Sequence, residues 1–589
     1  MKKRKIDMKH FFNSLRQLIM IAMFLSIVVS CTDKWDDHYS TNESIVFDSP
    51  IAELLSSKPD ASKFVEALKT TKMLKINDDI LDVSFYDFLL SDQFVTVWVP
   101  SNESMTDAEW EVFTKIGKTA KEHEMTAKRL IMNHIARYNF SLGNDNKRVV
   151  MMNGKSFQIK SSVGIDVATY FRGTDNNPVI NVACSNGIAH FLNNNAQEGK
   201  LPYLPTIYEF LTTDPRYRPL IGDFFESYTV ETLDENASVA SGINDEGEMV
   251  YIDSVTYKTN ILLSSFGYIQ REDSSYIMVI PTPEGWTAQF NKLLPKFEYS
   301  PKIAGADSLG RFYSHVAMIR DAVFNRNLQK SPKDSVCSTR YSYYRLGIEK
   351  EYLDLYRYYS PYNPNTGLFY KGLADTVLCS NGVIYITDNW NFDEYSTYNL
   401  TQINDISESS AGISVEPEVE NGSGTLYSEE YNVNSSDNFV MKVQGKPFTL
   451  KWAFMYNVRS VLKGDYILKL VVVHNPDDIK DNRPLRIHPI VYFYEDGNVL
   501  NTATNNKKKL VDEMNGRYPK YYPTSTTAVA SARDTIVIDK VISVPYCTYG
   551  QTEGSLQIRI ENAVTTPTLN DKYNPFMYLD RIILEPVKE

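Results

Sequence analysis

A chain of 589 residues is long enough for about three or four domains of ordinary size, so more than one core is expected. Its composition, 43% hydrophobic and 23% charged, excludes wholesale disorder and collagen-like repeats. The net charge of −12 hides a basic start: six Lys or Arg against Asp7 in the first 30 residues leave −17 on residues 31–589, a body that repels nucleic acid.

That basic start leads into Leu18–Val29, an apolar run broken only by Ser26. It has the length of a secretory leader and is too short for a spanning helix, which needs about 20 apolar residues. The run passes through Ser30 into Cys31, and a cysteine at the cleavage point is the mark of a bacterial lipoprotein. Cleavage between Ser30 and Cys31 would free Cys31 for acylation, and several acyl chains make a lasting anchor. A plain signal peptide with an incidental cysteine is the other reading. The segment after Cys31, Thr32-Asp33-Lys34-Trp35-Asp36-Asp37, is acidic and polar. It resembles the signals that carry Bacteroidetes lipoproteins to the outer cell surface, which implies an outer-membrane, lipid-anchored protein facing the exterior.

A pattern then appears twice. Phe94-Val95-Thr96-Val97-Trp98-Val99-Pro100-Ser101-Asn102 reads as a β-branched strand, a proline stop and a helix start. Thr126–Asn139 has helical apolar spacing and carries His134. Val179–Asn194 reads as a hairpin turning at Asn186-Gly187. Downstream, Tyr276–Trp286, Phe312–Asn325 with His315, and Asp375–Asp388 repeat the order, and the tetrapeptide Cys-Ser-Asn-Gly recurs at 184–187 and 379–382. An internal duplication of about 190 residues accounts for this.

The motif order resembles the fasciclin-like domain: a strand ending Pro-Ser/Thr, a helix with an embedded histidine, and a closing Asn-Gly hairpin. Val97–Glu103, Asn133-His134 and Asn186–His190 carry it in the first copy. Val279–Glu284, Ser314–Val316 and Asn381–Tyr385 carry it in the second, with Tyr385 where the family usually has His. The resemblance implies compact α+β modules of surface and adhesive proteins, most of them non-catalytic. On amphipathic helices, His134 and His315 read as core histidines bonded to backbone carbonyls.

Residues 396–425, rich in Ser, Glu, Asn and Gly, read as an unpacked linker. Beyond them, six short strands lie within 448–456, 465–474, 490–494, 535–539, 555–560 and 577–584, between Pro, Asn, Asp and Gly turns. They indicate a β-sandwich, jelly-roll-like in type. The expected organisation is α+β and all-β multidomain: leader 1–30, tether 31–48, fasciclin-like domains 49–200 and 201–395, linker 396–425 and sandwich 426–589.

Catalytic and metal templates fail. His123-Glu124-Met125-Thr126-Ala127 opens like a zinc-protease motif but has Ala127 at the second ligand position. The cluster His474, Asp477, Asp478 and Asp481 has no calcium-loop register. Cys184, Cys337, Cys379 and Cys547 lie far apart and read as small buried hydrophobes, with three pairings open in an oxidising compartment. No cofactor and no metal are expected.

Binding is therefore assigned to aromatic side chains in polar surroundings, which stack on sugars and serve protein recognition equally well. The candidates are Tyr358, Tyr359 and Tyr362 in the second repeat and Tyr518, Tyr521 and Tyr522 in the last domain. The functional expectation is a non-catalytic surface lipoprotein accessory to a SusC/SusD-type importer, with a glycan or peptide ligand. The alternatives are a surface hydrolase with an appended binding module, and an adhesin without a small ligand.

Overall fold

The computed structural model describes residues 46–588 except 75–79, 106–107, 143–146, 160–172, 175–176, 179–180, 195–198, 234–238, 244–248, 254–255, 327–335, 339–366, 407–417, 428–439, 447–449, 474–480, 482, 494–532 and 551–555. Ser30, Cys31, most of the tether and all six candidate tyrosines lie outside the described residues. Contacts gather the chain into two compact units, Met1–Leu204 with Glu231–Lys258, and Pro205–Val230 with Thr259–Glu589.

The first unit is built on a five-stranded sheet. Its strands are β1 (Val46–Phe47), β2 (Val95–Val99), β3 (Ile135–Arg137), β4 (Val182–Cys184) and β5 (Gly187–Phe191), in the order β1-β4-β5-β2-β3. Helices α1 (Ile51–Ser56), α2 (Ser62–Thr70), α3 (Phe85–Leu90) and α4 (Ala120–Met125) share with it a core that includes Leu55, Phe64, Phe85, Val97 and Phe191. The interior strand β2 is buried at all five positions, as expected of a β-branched run covered on both faces.

The second unit repeats this plan. Helices α5 (Ile207–Thr213), α6 (Leu263–Phe266), α7 (Pro283–Leu293) and α8 (Ala306–Arg320) accompany β6 (Tyr276–Pro281), β7 (Val323–Arg326), β8 (Val336–Ser338), β9 (Leu373–Cys379) and β10 (Gly382–Thr387). The order β8-β7-β6-β10-β9 repeats the four strands β3-β2-β5-β4 of the first sheet, with β8 added beside β7 and no counterpart of β1 beside β9: β6 is parallel to β10 as β2 is to β5, and antiparallel to β7 as β2 is to β3.

The register makes the duplication exact to the residue. Gly187 pairs with Val95 and Gly382 with Tyr276. A Cβ on either glycine would lie 1.9 or 2.0 Å from the opposing carbonyl oxygen, so only glycine admits this close approach. Just before each glycine, a buried asparagine makes the same three bonds. Asn186 accepts from Ile51 N and donates to the carbonyls of Leu89 and Ser91. Asn381 accepts from Ile207 N and donates to those of Ile269 and Arg271. One side chain thus ties a hairpin, a helix start and the end of another helical segment together, which explains the recurring Ser-Asn-Gly.

The same register corrects two sequence expectations. Thr126–Asn139 is not one helix. A wide helical turn spans Thr126–Ile131, closed by Met132 N donating to Ala127 O, and the chain then enters β3. Nor do the helix histidines correspond. Trp98 N donates to His134 O, and its counterpart Val279 N donates to Ala322 O, so Ala322 stands where His134 does. His315 lies seven residues before Ala322, in α8, half-buried between the rings of Phe224 and Phe290.

The all-β region belongs to the second unit. One antiparallel sheet has the order β13-β14-β20-β16-β18, with β11 also against β20. These are β11 (Gln402–Asp405), β13 (Gly422–Tyr427), β14 (Val440–Gly445), β16 (Gly464–Val473), β18 (Arg533–Val544) and β20 (Met577–Pro586). The other, β12-β15-β19-β17, comprises β12 (Glu418–Glu420), β15 (Ala453–Val458), β17 (Ile487–Phe493) and β19 (Leu556–Asn562). Both contribute to a single apolar core, for example Leu468, Leu470, Leu579 and Ile582 with Phe454, Val491 and Ile558. Tyr466, Leu468, Leu470 and Val472 alternate into it, while Lys469 pairs with Glu585 outside. All six expected strands are present.

The expected linker is not one. Residues 396–425 hold β11, β12 and most of β13, and β11 pairs with the last strand from Gln402 opposite Leu584 to Asp405 opposite Arg581. Gly, Ser and Glu suffice here because edge strands pair through backbone and need little apolar period. Nor is the all-β part detached from the repeat before it. Lys463 N donates to Lys296 O, Cys547 N to Glu298 O and Tyr299 OH to Tyr549 O, and Tyr549 meets Phe297 edge-on at 5.6 Å.

Candidate functional site

His134, His123 and His315 are each bonded to backbone groups. His134 donates from Nδ1 to Leu130 O at 2.7 Å and accepts Leu201 N–H on Nε2 at 2.9 Å. Burial holds it neutral, with a pKa pushed down to about 4. His123, of the zinc-like motif, accepts Lys72 N–H on Nε2 at 3.0 Å. His315 donates to Arg311 O. Among the described residues no three His, Cys, Asp or Glu side chains are placed to hold a metal ion. Cys184 and Cys547 are free thiols, and Cys379 and Cys547 are buried.

What stands out chemically is a strained, displayed aromatic pair in the first unit. Strand β3 ends at Arg137, and the next residue, Tyr138, adopts φ 72°, a left-handed conformation costly for a bulky side chain. Its ring is nonetheless 73% exposed, and Phe94, directly opposite on the β2 side, is 59% exposed.

The backbone behind the pair is fixed bond by bond. Tyr138 N donates to Phe94 O at 2.9 Å. The Thr96 hydroxyl, buried in β2, donates to Tyr138 O at 2.8 Å and accepts Phe140 N–H at 2.8 Å. Phe140 O accepts from His190 Nε2 at 2.9 Å, and His190 Nδ1 accepts Asn181 N–H at 3.1 Å. That acceptor role assigns the proton of the neutral ring to Nε2. Asn181, itself at φ 56°, closes the clamp: its side chain accepts Leu142 N–H at 2.7 Å and donates to Leu142 O at 2.8 Å.

In the second unit the equivalent positions hold other residues. Register places Ser275 at Phe94, Ile277 at Thr96, Arg326 at Tyr138 and Tyr385 at His190. Without the Thr hydroxyl to turn it, β7 runs on through Arg326 and pairs with β8. Tyr385 stacks on Phe369 at 5.4 Å, so rings fill the place of the polar clamp.

Sequence reasoning passed over Tyr138 because the run around it has helical spacing. The alternation Ile135, Ala136, Arg137, Tyr138, Asn139, Phe140 was the available signal. Where the tyrosines 358, 359, 362, 518, 521 and 522 lie relative to this pair falls outside the described residues.

No protein-family model matches the chain, and no curated protein matches it. Among solved structures, a family 35 carbohydrate binding module from Clostridium thermocellum aligns at 8% identity and TM-score 0.19, covering 32% of this chain and 99% of that one. An exo-beta-1,3-galactanase from Phanerochaete chrysosporium aligns at 12% identity and TM-score 0.18, covering 31% of this chain and 29% of the enzyme. The K2 cleaved adhesin domain of Lys-gingipain aligns at 12% and 0.17, covering 32% and 98%. Scores of this size carry no argument about ligand or activity. What fold and site define is a multidomain protein, two α+β repeats and an all-β region, that presents an aromatic pair from one repeat. Among the described residues no helix is long and apolar enough to cross a membrane.

Proposed function

We propose that the protein is a non-catalytic binding protein of a bacterial cell surface, held to the outer membrane through acylated Cys31 and engaging glycan or peptide through displayed aromatic rings. The observation that supports this best is Tyr138, kept in a conformation costing about 1–2 kcal/mol while its ring faces water beside Phe94. Flat rings so held offer stacking faces that need little ordering on binding. The fasciclin-like resemblance and the Cys31 motif favour an accessory part in a SusC/SusD-type import system, and the same surface would serve an adhesin.

Tyr138→Gly tests the reading. Glycine accepts φ 72° without strain, and its own entropic cost is about 0.5–1 kcal/mol, so stability should stay within about 1 kcal/mol of the parent. Combined with Phe94→Ser, the residue at that place in the other repeat, it removes both rings. Affinity for whichever immobilised oligosaccharide or peptide the parent retains should then fall more than tenfold. Unchanged affinity in a folded double variant would refute the reading.

A further inference from the structure

We propose that His190 is an acid sensor for the aromatic site: a proton on its Nδ1 expels the Asn181 N–H, and the segment Tyr138–Leu142 loosens from the sheet. This deepens the reading of Tyr138 and Phe94 as a binding surface, and names the regulation of that surface.

The argument begins with a mismatch of donors. His190 is fully buried on β5, and in its neutral form each ring nitrogen is matched, Nε2 donating to Phe140 O and Nδ1 accepting Asn181 N–H. Protonated imidazole has two donors and no acceptor, so Nδ1–H would face N–H. Among the described residues the groups around the ring include the Trp98 indole of β2, 5.3 Å away and tilted, the Phe140 carbonyl of the clamped segment and the Asn181 amide ahead of β4. Burial lowers its pKa, and the bond to the Phe140 carbonyl raises it. Burial prevails and lowers the pKa to about 4.

The consequence is directed at the site because the partners of His190 are the clamp itself. Displacing Asn181 N moves a residue already at φ 56°, whose side chain holds both backbone groups of Leu142. The Nε2–H bond to Phe140 O survives protonation, so the disturbance enters the segment through Asn181 and Leu142, next to Phe140 and the strained Tyr138 that Thr96 ties. Strain stored at Tyr138 then favours opening, since the segment relaxes once its tethers go. In the duplicate, Tyr385 occupies this position and has no charge to gain in acid, so the arrangement is confined to the repeat that displays the rings. His134 titrates in the same range but bonds Leu130 O and Leu201 N, away from the segment.

Hydrogen exchange on the full mature chain, followed by mass spectrometry from pH 6.5 to 3.5 and corrected for intrinsic rates, tests this without any ligand. Protection of the Phe140 and Leu142 amides should fall at least tenfold between pH 6 and 4, at higher pH than β2, while β6 and β7 stay flat. His190→Gln, which keeps a neutral donor and acceptor, should abolish the pH dependence of segment 138–142 whatever its protection at neutral pH. The sensor is overturned if the segment keeps its protection to pH 4, if it opens in one step with β2, or if the fall persists in the Gln variant. Should that variant not fold, the order of opening in the parent decides. PH-independent exchange together with lost binding in Tyr138→Gly would leave the surface and remove the sensor. The opposite pair of results would leave the sensor and remove the surface.

Discussion

The two α+β repeats share four paired strands, the same asparagine knot and the same glycine contact, yet they use equivalent positions differently. Where the first places His190 in a polar clamp, the second places Tyr385 against Phe369. Where the first turns its strand at Thr96 and Tyr138, the second runs on through Ile277 and Arg326. Scaffold bonds repeat because they close the fold, whereas residues at the open end of the sheet are free to diverge. The comparison separates the groups that build the repeat from those that give one copy its own surface.

The largest test is acid. His134 and His190 are held neutral with pKa values near 4, against about 6.5 in an unfolded chain. Between those values the unfolded state binds more protons, so stability is full above pH 6.5 and is lost as pH falls towards 4. Each histidine accounts for about 3 kcal/mol. Denaturant midpoints resolved by unit should fall steeply with acid for the first and far less for the second. Parallel curves would break the comparison.

Smaller, and symmetric, is the knot. Asn186→Ala and Asn381→Ala each leave a buried amide and two carbonyls without the side chain, and should cost about 3 kcal/mol apiece. Costs differing severalfold in chemical denaturation would show that the copies do not share their supports. Smallest is the sheet edge. β1 pairs in parallel along β4, with Val46 opposite Ala183, whereas β9 is an edge strand with Leu378 64% exposed. The hairpin pair Cys379–Gly382 turns the Leu378 N–H outwards, so Leu378→Pro should cost less than about 1 kcal/mol, and Ala183→Pro clearly more.

Much of this was legible in sequence because it rests on local chemistry. β-Branched runs ending in proline gave β2 and β6, and the repeated Ser-Asn-Gly marked two hairpins whose asparagines then proved identical in role. The histidine correspondence was misread because a His in an apolar helix period recurs by composition, while true equivalence is set by pairing across the sheet. The strands within 396–425 were missed because their partners, β20 and β15, lie far along the chain. Tyr138 was missed for a related reason: its conformation is imposed by Thr96, His190 and Asn181, none of them adjacent in sequence.

The pairing of β11 with β20 bears on how the all-β region could travel between proteins. A gene fragment opened at residue 426 would lack β11, β12 and most of β13, leaving β14 and β15 with unpaired backbone and β20 without its partner over Arg581–Leu584. Such a product would present raw sheet edges to other copies of itself. The portable cassette therefore starts upstream of Gln402. Because Lys296, Glu298 and Tyr299 also hold it, the natural unit of recombination is the second repeat and the all-β region together.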